Sequence, residues 1–437
     1  MASAAQDQAL TLVGGHVIDP ASGFSAVADV FVSGGQVVNI LPPGEQPAMG
    51  ERVDVSGLVV SPGLVDIHVH LREPGQTHKE TIATGTAAAV AGGFTTVCAM
   101  PNTLPPLDRP ERVRDALEII RRDAACRVEI IGSISLDNDP DRFSDVMALK
   151  TAGCVALTDD AFPLQTQDQR RRALQLAAQA DLPFIAHCED KALSAGGVIN
   201  EGEVSRRLNA PGQPSTAESA AAAQWLELSD LGARLHLAHV SAAATVEALR
   251  HALPRWQGRL SAETAPHYFA LTDDAVVDSG ANAKMNPPLR SRLDQLAVKE
   301  AVVEGIIAAI ATDHAPHSPE EKAQGLVQAP FGIVGLETSL AVSLSELYHT
   351  GLLTLPQLLA RLSASPARLL GLTAGCFAPG AVADLTIFDP QSEWQVEPDL
   401  FRSLGRNTPF AGMTLRGRVC GTLVGGRWVY RGVRLPA

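Results

Sequence analysis

The chain has 437 residues, of which 46% are hydrophobic and 19% charged, with a formal net charge of −13. That length exceeds one simple core, so two domains, or one large barrel with an appendage, are expected. The acidic balance, without any basic run, argues against nucleic-acid binding, and the longest apolar stretches are strand-length and carry Gly, Thr or His, which argues against a membrane helix.

Met1 to Gln8 shows no basic start followed by an apolar core, so no secretory signal is expected. Residues 9–60 hold short strand-like runs broken by glycine: Leu10–Val13, Asp29–Ser33, Gln36–Leu41 and Leu58–Val60, with a hairpin turn at Gly34-Gly35. From residue 61 an apolar β-run alternates with a helical stretch. The candidate strands are Leu64–His70, Thr95–Met100, Val128–Ser133, Cys154–Asp159, Pro183–His187, Arg234–Val240, Leu260–Thr264 and Ile307–Thr312. Helix-like segments fill the gaps, among them Thr81–Ala91, Pro110–Arg122, Asp168–Gln179, Thr216–Leu228 and Ala243–Ala252, and Gly92-Gly93 reads as a helix stop. Eight such runs predict an α/β fold, a (β/α)8 TIM-like barrel. The alternative is a doubly wound open sheet, but no Gly-rich phosphate loop supports it. Residues 380–437 return to the first texture, with Ala383–Phe388, Arg418–Val424, Arg427–Tyr430 and a turn at Gly425-Gly426. Such short strands cannot build two cores, so both ends are expected to meet in one small β-sandwich domain. Residues 1–60 and 372–437 would form that sandwich, and residues 61–371 the barrel. The six cysteines are scattered without a CxxC pair and read as buried free thiols of a cytoplasmic protein.

Barrel active sites lie at the C-terminal ends of the strands. His68 and His70 end the first strand, two residues apart and on one face. Asp159 and Asp160 end the fourth, His187 the fifth, His239 the sixth and Asp313 the eighth. Each alone is more often a satisfied buried polar group than a ligand; together they fall on one rim. Four histidines and two carboxylates exceed what one tetrahedral zinc needs and suit two metals with a bridging carboxylate. A water or hydroxide between such metals is a nucleophile at neutral pH. The class predicted is metal-assisted hydrolysis or its reverse.

These residues resemble the dihydroorotases of the amidohydrolase superfamily, in the longer bacterial type I branch. Two segments carry most of the likeness. One is Asp66 to Pro74, where His-x-His runs into Leu71-Arg72-Glu73-Pro74; the other is Ala311 to Lys322, with Thr-Asp-x-Ala-Pro-His and a lysine after four residues. Gly92 to Thr96, Met100 to Thr103, Thr158-Asp159-Asp160, Ala186 to Glu189, Lys284 to Leu289, Ala329 to Gly332 and Asn407 to Phe410 extend it over essentially the whole chain. The resemblance implies a zinc cofactor, two ions per subunit, with one ion left open. His68 and His70 would hold one, His187 and His239 the other. Asp160 would bridge them, with Asp159 open to the same role, and Asp313 would complete the coordination of the first ion and act as the acid/base. Many relatives bridge with a carboxylated lysine; the nearest here, Lys150, lies ten residues earlier and reads as a solvated helix residue.

The implied reaction is the reversible cyclisation of N-carbamoyl-L-aspartate to dihydroorotate plus water, in pyrimidine biosynthesis. The implied mechanism is attack by a zinc-bridged hydroxide. Arg72 offers a planar fork for the substrate carboxylate, which a lysine would not. Asn102 and His317 would add contacts, with His70 beside the same substrate. Asn286 and the backbone at Phe331-Gly332 would read the ring amides. His314 and His267 read as supporting residues, while His78 and Glu189 stay undecided. The segment from His317 to Pro330 has the length and polarity of a lid. The family implies a homodimer and opens an association with aspartate transcarbamoylase. Competing readings are a dihydropyrimidinase, hydantoinase or allantoinase, whose neutral rings need no Arg72, and a non-catalytic scaffold, which would have lost metal ligands. One departure from many relatives is Tyr268, where a second histidine is common.

Overall fold

The computed structural model describes residues 9–46, 49–432 and 435. The middle of the chain forms eight parallel strands that neighbour one another in chain order: Leu64–Val69, Phe94–Ala99, Arg127–Ser133, Cys154–Thr158, Phe184–Ala186, Leu235–Leu237, Leu260–Thr264 and Ala309–Ile310. The first strand is buried along its whole length, as a strand covered on both faces must be. The ends of the series meet. Val69 bridges His314, the His70 N–H donates to the His314 carbonyl at 2.9 Å, and the Asp66 carboxylate accepts from the Thr312 N–H at 3.1 Å. This closes a (β/α)8 barrel rather than an open doubly wound sheet. Val65, Ile67, Cys98, Ile131, Ala156, Ile185 and Ala309 pack in a cluster separate from the larger one that joins strands to helices, giving the barrel a filled interior.

The helices fall on the helix-like segments of the sequence, Pro110–Asp123 and Gln167–Ala180 among them. Ile82–Ala91 starts at a Thr81 capping box and stops at Gly92, and Gly93 follows at φ 89°. A side chain at Gly92 would stand 2.0 Å from the Leu336 carbonyl, so close packing also requires glycine there. Several strands end earlier than the apolar runs predict. Arg234–Val240 shrinks to Leu235–Leu237, and Ile307–Thr312 to Ala309–Ile310. Burial continues past the last ladder bond because these residues turn inward over the rim. Three of the turning residues are not glycine yet have positive φ: Arg72 at 60°, His239 at 35° and Asp313 at 46°. Such backbone is retained only where the surroundings over-determine it, and it concentrates at functional sites.

Strands from both ends of the chain, including Leu10–Asp19, Val59–Pro62, Leu385–Gln395 and Thr414–Val424, pair in one eight-stranded sheet. Leu385–Gln395 joins the ends by running antiparallel to Val59–Pro62. The sheet curls until Gln36 bridges Val382, and it encloses its own core of Leu12, Val30, Phe377, Ile387 and Leu423. The two layers expected of a sandwich are thus parts of one continuous sheet. The Thr422 hydroxyl donates to the Val90 carbonyl at 2.7 Å and seats the sheet on the barrel. Among the described residues no helix is long and apolar enough to cross a membrane, and no cysteine is bridged, although Cys376 is exposed rather than buried.

Glu337 joins the barrel to the segment between strands Leu385–Gln395 and Thr414–Val424 of the curled sheet. Its Oε1 accepts from the Arg402 and Ser403 N–H groups at 2.8 and 3.2 Å, and burial pushes its pKa up to about 7. A carboxyl raised in the folded state is protonated more readily there than in the unfolded chain. The fold is therefore favoured below the unfolded value and loses that advantage as pH rises through about 7. Glu337→Gln keeps the accepting oxygen and removes the charge. Chemical denaturation should show the variant more stable above pH 8, by at most about 3 kcal/mol, with the gap closing towards pH 5.

Candidate active site

Six side chains from strands one, four, five, six and eight converge where the barrel strands end, all buried. Asp160 lies at the centre. Its oxygens stand 3.9 Å from His68 Nε2, 3.7 Å from His70 Nε2, 3.1 Å from His187 Nδ1 and 3.5 Å from His239 Nε2. Asp313 Oδ1 stands 3.1 Å from His70 Nε2 and 3.5 Å from His68 Nε2. His187 Nδ1 and His239 Nε2 lie 2.8 Å apart. His68 Nε2 is buried with no hydrogen-bond partner. Three overlapping groups have ligand atoms close enough for one ion: His68, His70 and Asp160; His68, His239 and Asp313; and Asp160, His187 and His239. Burial would lower the pKa of His68, but Asp313, Glu263 and Asp160 raise it to about 10. Burial alone would likewise raise Asp160, yet His187, His239 and His68 hold it well below the usual carboxylate range. A site that pulls a proton onto a buried imidazole presents the same field to a divalent cation, and the donor set fits zinc.

Neighbouring groups aim these side chains. His68 Nδ1 donates to Glu263 Oε1 at 2.7 Å, and His236 Nε2 stands 3.2 Å from the other oxygen. His70 Nδ1 donates to Asn102 Oδ1 at 2.8 Å. Such partners orient an imidazole and raise its basicity towards a metal. Asp159 faces away from the cluster. It accepts from the backbone N–H groups of His187 and Leu164, each at 2.9 Å, and burial pushes it up to about 6. Asp160, not Asp159, therefore points at the histidines. Lys150 is exposed on helix Val146–Ala152 and donates to the Ala180 carbonyl, so it takes no part.

The cluster opens into a cavity of about 730 Å³, whose wall includes His70, Arg72, Asn102, Asn286, His317 and Phe331 beside Asp160, His187 and Asp313. Arg72 is held by its Nε–H, which donates to the Pro316 carbonyl at 3.2 Å, and its Nη2 lies 3.3 Å from His317 Nε2. Burial, then Arg72, Lys79 and Lys322, keep His317 neutral, its pKa lowered to about 3. Asn286 Nδ2 donates to Glu189 Oε2 at 3.0 Å and accepts through Oδ1 from Gln213. Gly332 sits one residue beyond the wall. Its N–H is taken by the Lys284 carbonyl at 2.9 Å, and a side chain there would stand 2.4 Å from the Ala315 carbonyl.

Of the undecided residues, Glu189 belongs to the site: Oε2 accepts from His187 Nε2 at 3.0 Å and from Lys191 at 2.7 Å. His78 is exposed beside Glu321. His314 bonds Glu80 at 3.3 Å, and Tyr268 donates to the Pro287 carbonyl. The segment expected as a lid folds into short helices Pro319–Lys322 and Gly325–Gln328. Sequence reasoning missed Glu263, and it quoted Asn407 within a motif without giving it a role. Asn407 Nδ2 donates to the Ala315 and Gly332 carbonyls, while its Oδ1 accepts from the His317 N–H. A carboxylate inside the apolar run Leu260–Thr264 was the available signal for Glu263.

A family model described as "Dihydro-orotase-like" matches residues 57–245. The dihydroorotase of Geobacter metallireducens is 44% identical over 423 residues, spanning 97% of this chain and 99% of that protein. That of Syntrophus aciditrophicus is 44% identical over 424 residues, again 97% and 99%. Among solved structures, the L-hydantoinase (dihydropyrimidinase) of Arthrobacter aurescens superposes with a TM-score of 0.88 over 99% of this chain and 98% of its own, at 24% identity. The dihydropyrimidinase of Brevibacillus agri gives 0.84 over 97% and 95%, also at 24% identity. These two are likenesses of fold.

Proposed function

This chain belongs to the dihydroorotase family, and from that premise we propose how its cavity interconverts dihydroorotate and N-carbamoyl-L-aspartate. The observation that carries the reading is the placement of Arg72, Asn102 and His317 on the wall of the cavity that holds the histidine–carboxylate cluster. The ring's exocyclic carboxylate docks on the Arg72 fork, with Asn102 and His317 beside it, and Asn286 and the Phe331 backbone face the ring amides, while Gly332, whose N–H and carbonyl are bonded within the protein, serves by packing closely behind them. His68, His70, His187, His239, Asp160 and Asp313 would hold zinc. Once bound, zinc polarises the ring carbonyl and acidifies a water.

The remaining work falls to the chain. Burial would raise Asp313, but His68 and His70 hold it below the usual carboxylate range, so it is ionised at neutral pH and able to accept a proton. In ring opening, water adds to the ring carbonyl carbon and the carbon–nitrogen bond breaks. Asp313 takes the proton of the attacking water and delivers it to the departing nitrogen. In synthesis it takes the proton from the carbamoyl nitrogen and gives it to the departing oxygen. Exclusion of bulk water by the buried wall strengthens both contacts.

Two ions would suit the overlapping donor groups, with Asp160 the carboxylate common to two of them. Chelation should abolish ring opening, and zinc added back should restore it in proportion up to two equivalents per chain. Saturation at one equivalent would reduce the centre to a single ion, and activity untouched by chelation would overturn the metal reading. We further place the protein in the cytoplasm as a homodimer, with aspartate transcarbamoylase as the partner the resemblance allows; the unbridged cysteines agree with a reducing compartment.

A further inference from the structure

Two lysines outside the expected contacts converge on one stretch of the cavity wall. Lys284 Nζ donates to the carbonyls of Val327 at 2.9 Å and Ala329 at 2.7 Å. Lys322 Nζ donates to those of Pro330 at 2.9 Å and Gly332 at 3.0 Å. His317 Nε2 donates to the Phe331 carbonyl between them at 2.8 Å. Five carbonyls in six residues are thus taken by side chains, and the same stretch, Val327 to Phe331, lines the cavity. The Lys284 ammonium also lies 4.5 Å from the centre of the Phe331 ring.

Among the described residues no carboxylate lies within ion-pair distance of either lysine, although Glu321 acts on Lys322 from farther off. Burial lowers Lys284 to about 8 and Lys322 to about 7. Burying an amine without a counter-charge is unfavourable, and an apolar side chain of similar length would fill the space without that penalty. What the apolar side chain lacks is N–H groups aimed at the wall. Either protonation state of a lysine has at least two, enough for its pair of carbonyls.

We propose that Lys284 and Lys322 are positioning residues for the substrate ring, which clamp the Val327–Gly332 backbone so that Phe331 and its neighbours present a fixed surface. This rests on the dihydroorotase reading above. Lys322→Met and Lys284→Met should each raise KM for dihydroorotate about tenfold or more while kcat stays within about threefold. Zinc content should not change, and Lys322→Arg should recover part of the KM. Hydrogen exchange of residues 325–333 should quicken in both methionine variants. An unchanged KM, with loss confined to kcat or to zinc binding, would overturn the proposal. If Lys322→Met fails to fold, Lys284→Met decides it by the same KM and exchange readings. A parent chain inactive on dihydroorotate would refute the substrate reading instead, and the exchange measurement would still test the clamp.

Discussion

Asp313→Asn is expected to lower kcat for ring opening by on the order of 10²–10⁴, with a smaller change in KM. Asparagine keeps the shape and one oxygen that can face His70 Nε2, 3.1 Å away in the parent. It cannot accept the proton of the attacking water. Because Asp313 also faces His68, zinc content must be measured on the same preparation. A variant with full zinc and kcat within about tenfold of the parent would remove Asp313 from the proton transfer.

Arg72→Ala is expected to weaken kcat/KM for dihydroorotate by about 2–5 kcal/mol, a loss of roughly 30- to 4000-fold. Arg72 is buried, its Nε–H is committed to Pro316, its Nη2 lies beside His317, and the residue lines the cavity. Burial lowers its pKa to about 10, yet Asp313 and Asp160 help keep it charged, so it stays a cation throughout the working range. Lysine at this position retains the charge without the planar pair of donors, so Arg72→Lys should fall between parent and alanine. Steady-state kinetics on the three proteins checks the order. Indifference to either change would detach the substrate carboxylate from this residue.

The barrel was legible because parallel strands buried on both faces read as continuous apolar runs. Where each strand stops was not, since Val240 and Thr312 remain buried after the ladder has ended and burial is what the pattern reports. The six converging residues stood out as polar side chains at the ends of apolar runs. The choice between Asp159 and Asp160 needed the fold, because the bonds that turn Asp159 away come from backbone donors at Leu164 and His187, the second 28 residues on. Glu263 escaped notice for the same reason: its partner His68 is 195 residues distant. Lys284 and Lys322 were visible within motifs, but their task depends on carbonyls of a loop whose path no periodicity predicts. The joining of the two chain ends was readable from their shared short-strand texture. Their union in one curled sheet was not, because it is set by pairing between Leu385–Phe388 and Val59–Pro62.

The most direct test of the substrate assignment is ring opening by the zinc-loaded protein on dihydroorotate, dihydrouracil and hydantoin in parallel. Turnover of dihydroorotate alone is expected, because only that ring carries a carboxylate for Arg72 to receive. Comparable rates on the two neutral rings, or none on dihydroorotate, would contradict it.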